Sequence, residues 1–341
     1  MNAAKHERVV RLLDERGLDA LVLREPGNIA WISDGGRGHI TPETSVVSLV
    51  VRRDGCEVYT AVNEADRLRD EELTALADAR WHVLPWSADL GAVLPSGPRY
   101  GTDADAEPLR RSLLPDEVTR YAVVARAAAE AMTDAVLTLT PGHTEHAAAA
   151  ALGGRLLERG LDPVVLLVAG GTRLPIPRHP LPTHALLGDL VMLVACARGH
   201  GLIANLTRFV SFGPLRHAAE YGRLLEVEAA FLAATTPGAR VGDVYAAGAA
   251  AYAAARFPAD EADRHHQGGP TGYATRDYLA TAASTAVVEE AQAFAWNPSV
   301  PSLKVEDTVL ATASGLQVLT VDPRWPTVPV NGLARPAVLS R

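Results

Sequence analysis

The sequence predicts a two-domain α/β protein, with an alternating α/β domain over residues 1–112 and a larger domain over 113–341 built from a repeated helix-helix-strand unit. Three observations lead there. Helical and strand-like stretches alternate through the first part of the chain. Two Ala-rich helix pairs recur in the second part, each broken by a Thr-Pro-Gly turn, at Thr140-Pro141-Gly142 and Thr236-Pro237-Gly238. A length of 341 residues suits two domains of about 100–200 residues.

Residues His6–Gly17 read as a helix, with Val9, Val10, Leu12 and Leu13 as its apolar stripe and Gly17 as its stop. Leu21–Leu23, Ser45–Val51 and Cys56–Thr60 read as strands, the last two joined by a turn at Arg53-Asp54-Gly55. Leu68–Ala77 reads as a helix and Trp81–Leu84 as a strand, and the Pro/Gly-rich stretch from Pro95 to Pro115 reads as a linker. The first helix pair covers Asp116–Val136 and Thr144–Arg159, followed by strands Val164–Ala169 and Leu190–Cys196. The second covers Leu215–Ala234 and Val241–Arg256, followed by strands Ala291–Trp296 and Val305–Ala311. Duplication places the site between the two halves, where their strands converge. Ala-rich helices also resemble one another without any duplication.

Composition narrows the function classes. The formal charge is −8, with 32 Lys+Arg against 40 Asp+Glu, which argues against broad nucleic-acid or anionic-membrane binding. Two cysteines, Cys56 and Cys196, are too few for a disulfide framework or a cysteine zinc site. The charged N-terminus does not read as a signal peptide. The long apolar run near Leu186–Leu206 contains Asp189 and Arg198, so it does not read as a membrane span. A cytoplasmic protein is expected. There is no P-loop, dinucleotide fingerprint, Ser-hydrolase elbow or His-Glu-x-x-His motif, and no cofactor is implied.

Four segments hold the candidate chemistry. They are His179-Pro180-Leu181-Pro182-Thr183 before Gly188-Asp189; Asn205-Leu206-Thr207-Arg208; His265-His266-Gln267-Gly268-Gly269 leading to Tyr273 and Arg276; and Trp296-Asn297-Pro298 before Lys304-Val305-Glu306-Asp307-Thr308. With Arg24–Ser33 near the N-terminus, and with Gly188–Arg208 and Lys304–Leu319, the chain resembles the creatinase/prolidase/aminopeptidase P group over nearly its whole length. The resemblance implies a creatinase-type N-terminal domain and a pita-bread C-terminal domain.

Peptidases of that group hold two metal ions through two Asp, one His and two Glu. Carried over by motif, these positions fall on Val194, Asn205, His265 or His266, Asn297 and Glu306. Val and Asn cannot supply the bridging carboxylates that a divalent pair needs, so no metal is expected. Creatinase, the metal-free precedent in the group, hydrolyses a C–N bond of a small guanidino substrate with His and Glu side chains. Its first His would correspond to His179, two residues short in spacing, its second to His265, and its late Glu to Glu306. A second creatinase carboxylate becomes Thr207 here.

The expected machinery is therefore His265 or His266 as proton carrier, His179 as its partner, and Glu306 as the carboxylate that orients an imidazole or holds a cation. Arg276 would grip a substrate carboxylate bidentately, and Lys304, sharing a strand face with Glu306, would hold an anion or neutralise that carboxylate. Asn205, Asn297, Thr207 and Tyr273 are further candidate substrate contacts. Arg37, in the Gly-rich Gly35–Gly38 segment, enters because dimers of the group insert that loop into the partner's site, and a homodimer is expected on that ground.

Each residue also has a plain structural reading. His179 would solvate a Pro-rich loop, Arg276 would cap a helix or pair with an acid, and Glu306 would be a buried pair of Lys304 or Arg208. The two Asn would satisfy buried backbone groups, Trp296 would belong to the core, and Arg37 would be solvated. The expected function is metal-independent C–N bond hydrolysis of a small polar molecule, or a related elimination or cyclisation. A catalytically inactive binding or scaffold protein and a metal-dependent Xaa-Pro peptidase are the alternatives.

Overall fold

The structure, a computed structural model, describes residues 1–41, 44–176 and 178–341. The chain divides into two compact units: Met1–Ser112 with His200–Leu202, and Leu113–Gly199 with Ile203–Arg341.

In the first unit, helix Ala3–Arg16 starts where the Asn2 side chain accepts a hydrogen bond from the Ala4 N–H, and ends at Gly17 in the left-handed conformation. Its apolar face buries Val9, Leu12 and Leu13. The five-stranded sheet has the order Arg80–Leu84, Gly55–Ala61, Val47–Arg52, Ala20–Leu23, Tyr100–Gly101. Its outer pairs are parallel and its inner pairs antiparallel.

Three sequence expectations change here. Leu68–Ala77 is no α-helix: helix Val62–Arg67 runs into a π turn at Leu68–Glu72 and a 3₁₀ turn at Thr74–Leu76. The buried Leu68 and Leu73 are five residues apart, a step that the wider π turn closes, with the Leu73 N–H donating to the Leu68 carbonyl. The supposed linker contains edge strand Tyr100–Gly101 and the short helices Asp103–Ala106 and Glu107–Arg110. There the Asp103 carboxylate accepts the Arg24 and Glu25 N–H groups and the Asn28 amide. Helix Pro26–Ile32, opened by a proline and buried from Asn28 to Ile32, was not expected.

In the second unit, helices Pro115–Val136 and Glu145–Leu157 precede strands Asp162–Gly170 and Leu190–Gly199, and helices Ala218–Ala234 and Val241–Ala254 precede strands Gln292–Trp296 and Asp307–Thr312. One sheet runs Leu339–Ser340, Leu202–Ser211, Leu190–Gly199, Asp162–Gly170; the other runs Gly268–Thr271, Gln292–Trp296, Asp307–Thr312, Gly315–Val318. The Thr207 N–H donates to the Glu306 carbonyl at 3.0 Å, bridging the strand that carries Asn205–Arg208 to the start of a strand in the second sheet.

The core of this unit includes Phe209, Phe231, Phe294 and Trp296, all buried. Trp296 stacks on Phe231 with ring centroids 4.8 Å apart and donates its indole N–H to Thr235, so it belongs to the core. A buried ionic network links Arg208 to Asp307 (2.7 Å), Asp307 to Arg335 (2.6 Å) and Arg335 to Glu228 (2.8 Å), two cations against two anions. Among the described residues, no helix is long and apolar enough to cross a membrane.

Candidate active site

The candidate site lies within the second unit, in a cavity of about 330 Å³. That is at the small end of the range of roughly 300–1,000 Å³ for ligand sites, and suits a metabolite better than a long peptide. One wall comes from two paired strands. Leu167 lies opposite Val194 and Val165 opposite Cys196, so these four side chains share one face and line the cavity. The remaining lining is polar: His179, His266, Thr275, Arg276, Asn297, Lys304 and Glu306, with Leu279 completing it.

Three histidines meet here. His179 and His265 face each other with Nε2 atoms 2.9 Å apart, and the His265 ring stacks on His266 with centroids 4.4 Å apart. His179 is exposed, but its neighbours are tied down: Arg178 pairs with buried Glu261, and the Pro180 carbonyl accepts the Val168 N–H. His265 leaves the 3₁₀ turn Ala259–Arg264 in an extended conformation. The Gln267 amide donates to the Ala262 and His265 carbonyls, and Gln267 itself accepts the Tyr252 hydroxyl. Gln267 is thus a positioning residue that sequence reasoning missed; a glutamine between histidine and glycine carries no local signal.

The first glycine after the histidines is set by packing. Gly268 has φ +96°, and an added Cβ would lie 2.1 Å from the Ala295 carbonyl oxygen, so backbone packing against the neighbouring strand demands it.

Burial pushes all three imidazoles below the ordinary histidine value, with Lys304 adding to the effect at each. His265 falls to about 2 and His266, where Arg276 is the larger charge, to about 4; His179 is lowered too. The cluster is therefore neutral at pH 7, with lone pairs available as bases.

Glu306 is buried, and both its oxygens are engaged. Arg276 donates to Oε1 at 2.7 Å, while Lys304 and the Thr207 hydroxyl each approach Oε2 at 3.0 Å. Burial alone would raise its pKa, but the two cations outweigh burial and hold it at about 2. Lys304, Arg276 and Glu306 together leave one net positive charge beside neutral imidazoles, an environment suited to an anion. The Cys196 thiol, pushed up to about 12 by burial, is no nucleophile.

The remaining candidates separate. Asn297 lines the cavity, and its Oδ1 has no hydrogen-bond partner among the described residues. Asn205 lies outside the lining; its amide donates to the Ile203 carbonyl and to Thr271, a structural role. Thr207 also lies outside and acts through Glu306. Tyr273 is a correction: its hydroxyl donates to Glu117 at 2.6 Å, on the long helix Pro115–Val136, and does not reach the cavity. An aromatic flanked by glycine gives no sequence clue to which side it faces. Arg37 belongs to the first unit, where its N–H donates to Glu72.

A two-metal centre does not fit these residues. Val194 is an apolar wall residue, Asn205 is neutral and brings no negative charge, and Glu306 has both oxygens spent on Arg276, Lys304 and Thr207. Carboxylates that would offset two divalent ions are missing from three of the five positions.

The pattern of metallopeptidase family M24 matches residues 119–313, and that of the creatinase/prolidase N-terminal domain matches residues 5–132. No curated protein sequence matches the chain. Among solved structures, prolidase from Pyrococcus horikoshii is similar at 16% identity, TM-score 0.76, over 94% of this chain and 99% of that one. Dipeptidase PepE from Mycobacterium ulcerans is similar at 19% identity, TM-score 0.76, over 99% and 97%. Prolidase from Thermococcus sibiricus is similar at 14% identity, TM-score 0.77, over the whole of both chains. At such identities these structures support the fold: a creatinase-type α/β domain followed by a pita-bread domain. With more than half its length matched by the family pattern, the chain belongs to metallopeptidase family M24.

Proposed function

We propose that this protein is a hydrolase that cleaves a C–N bond of a small, carboxylate-bearing molecule by histidine acid/base catalysis, without a two-metal centre. The observation that carries this reading is the His179–His265 contact at 2.9 Å beside a cavity whose other polar groups sum to one positive charge. Arg276 and Lys304 receive the substrate carboxylate, and the apolar wall of Val165, Leu167 and Val194 receives its carbon skeleton. His266, which lines the cavity, or His179 takes a proton from water as it attacks the scissile carbon. The other imidazoles pass a proton to the departing nitrogen, so no charge is stranded in the cavity. Elimination or cyclisation uses the same residues without water as nucleophile.

Two other readings remain distinct. The named functions of the similar structures favour an Xaa-Pro peptidase, and Val194 and the spent Glu306 carboxylate speak against the metal that such a reading needs. A binding protein without turnover is favoured by the loss of three ligand positions, and three clustered histidines speak against it.

The test is mass-spectrometric depletion of a mixed panel by purified protein with a chelator present. The panel holds guanidino acids, amidines, N-acyl amino acids, Xaa-Pro dipeptides and a metabolite extract. Chelator-resistant turnover that is absent in the His265→Ala, His266→Ala double variant is expected. Turnover abolished by the chelator alone would overturn the metal-free reading, and no depletion at all would favour the binding protein. A homodimer in which the N-terminal loop reaches the partner's site is part of the proposal, tested by sedimentation and by an Arg37→Ala variant.

A further inference from the structure

We infer that His179, His265 and His266 form a binding site for a single transition-metal ion, zinc foremost, and that its occupation switches the site off. The switch rests on the histidine chemistry proposed above; the binding does not.

One ring nitrogen from each of the three residues lies within 4.8 Å of the others. The Nε2 atoms of His179 and His265 point at each other across 2.9 Å, a gap that holds one proton shared between two acceptors. A metal ion can take the place of that proton. Zinc–nitrogen bonds of about 2.0–2.1 Å set tetrahedral ligand atoms about 3.3 Å apart, so the close pair opens slightly and the third nitrogen moves in by up to about 1.5 Å. The exposed His179 supplies that freedom, while the Gln267 hydrogen bonds to Ala262 and to the His265 carbonyl hold the other side. The Nδ1 atoms of His265 and His266 have no hydrogen-bond partner among the described residues, which leaves both nitrogens of each ring open to the ion but gives the ligands no outer hydrogen-bond support, so modest affinity is expected.

Ligand chemistry selects the ion. Imidazole suits zinc, copper, nickel and cobalt, whereas magnesium and calcium require oxygen donors, and Glu306, the carboxylate in the cavity lining, has both oxygens engaged. The net positive charge of Lys304, Arg276 and Glu306 opposes any cation and weakens the site, most severely for ions with no preference for nitrogen. At most one of the three histidines falls on the two-metal ligand pattern, so this is a different centre rather than a remnant of that one. An ion here takes up the lone pairs on which proton transfer depends, so it stops turnover rather than supporting it.

The experiment is zinc chloride titration of the metal-stripped full-length protein, read by calorimetry and by elemental analysis after gel filtration. Cobalt(II) serves as a coloured substitute whose visible absorption reports nitrogen ligation. One ion per chain is expected, with affinity about tenfold or more weaker in His179→Ala and in His265→Ala and no uptake of magnesium. The affinity should be unchanged in His146→Ala, which alters a separate exposed histidine pair with His184. Because His179 is exposed on a loop, that variant is expected to fold, and its circular dichroism verifies this; it decides the matter if the His265 variant does not fold. Binding only at about 1 mM or weaker, or affinity unchanged by His179→Ala, overturns the site. Zinc binding in a protein that turns over nothing in the panel leaves the site standing and removes the proposed hydrolase. Turnover that persists at zinc saturation removes the switch.

Discussion

The Nε2 atoms of His179 and His265 lie 2.9 Å apart although 86 residues separate them in the chain. One belongs to an exposed loop before the strand Leu190–Gly199, and the other ends a 3₁₀ turn before the second sheet begins. Under the proposed chemistry neither works alone. His179→Ala and His265→Ala should each lower kcat by about 10²–10⁴-fold with a smaller change in KM, and the double variant should be little worse than either. Steady-state kinetics on whichever substrate the panel identifies checks this; additive losses would separate the two residues.

The lowered imidazole pKa values make a prediction about acid. Below the ordinary histidine value of 6.5 the unfolded chain takes up protons that the folded cluster refuses, because His266 titrates at about 4 and His265 at about 2. Stability should therefore be complete above pH 6.5 and fall as the pH drops from there toward those values. In chelator-treated protein, the ring-proton NMR signals of both residues should stay at their neutral positions from pH 8 to 5. Replacing both with Gln should flatten the loss of stability between pH 6.5 and 4, measured by urea unfolding.

Glu306 lies buried between two cations, so removing its charge leaves both uncompensated. Glu306→Gln should destabilise the protein by about 3–5 kcal/mol in chemical denaturation. The Glu306→Gln, Lys304→Met double variant should recover a large part of that, since one of the stranded charges goes with it. Recovery of nothing would mean that Arg276 alone accounts for the pair.

Arg276 should separate binding from chemistry. Arg276→Lys keeps the charge but not the planar fork, so KM for a carboxylate substrate should rise by about tenfold while kcat changes less. Equal losses in kcat and kcat/KM would instead place Arg276 at the transition state.

A packing prediction concerns Gly248, in helix Val241–Ala254. A Cβ there would lie 2.3 Å from ring atoms of the buried Phe231. Gly248→Ala gains about 1 kcal/mol of helix propensity, but the rigid ring cannot yield, and overpacking costs about 1–3 kcal/mol. A lowered urea midpoint with an unchanged slope is the expected outcome.

The sequence made the long helices visible because their apolar stripes and Thr-Pro-Gly turns are local signals. It hid Leu68–Ala77 because a π turn of charged, helix-favouring residues mimics a helix in composition, and it hid strand Tyr100–Gly101 among prolines and glycines. At the site, the Lys304–Glu306 contact follows from two-residue spacing along an extended chain. The wall of Val165, Leu167, Val194 and Cys196 was not visible, since alternating apolar residues look the same whether they face a core or a cavity. Tyr273 was misplaced because nothing local tells an aromatic in a Gly-rich loop that its hydroxyl will meet Glu117.

The salt bridges around Glu306 also bear on descent. A lineage that regained aspartates at Val194 and Asn205 would still find the last carboxylate occupied by Arg276 and Lys304. One that first removed those cations would leave a buried anion alone. If the proposed metal-free chemistry holds, rebuilding a two-metal centre here therefore takes carboxylates at Val194, Asn205 and Asn297 together with the release of Glu306 from both cations, several substitutions at once.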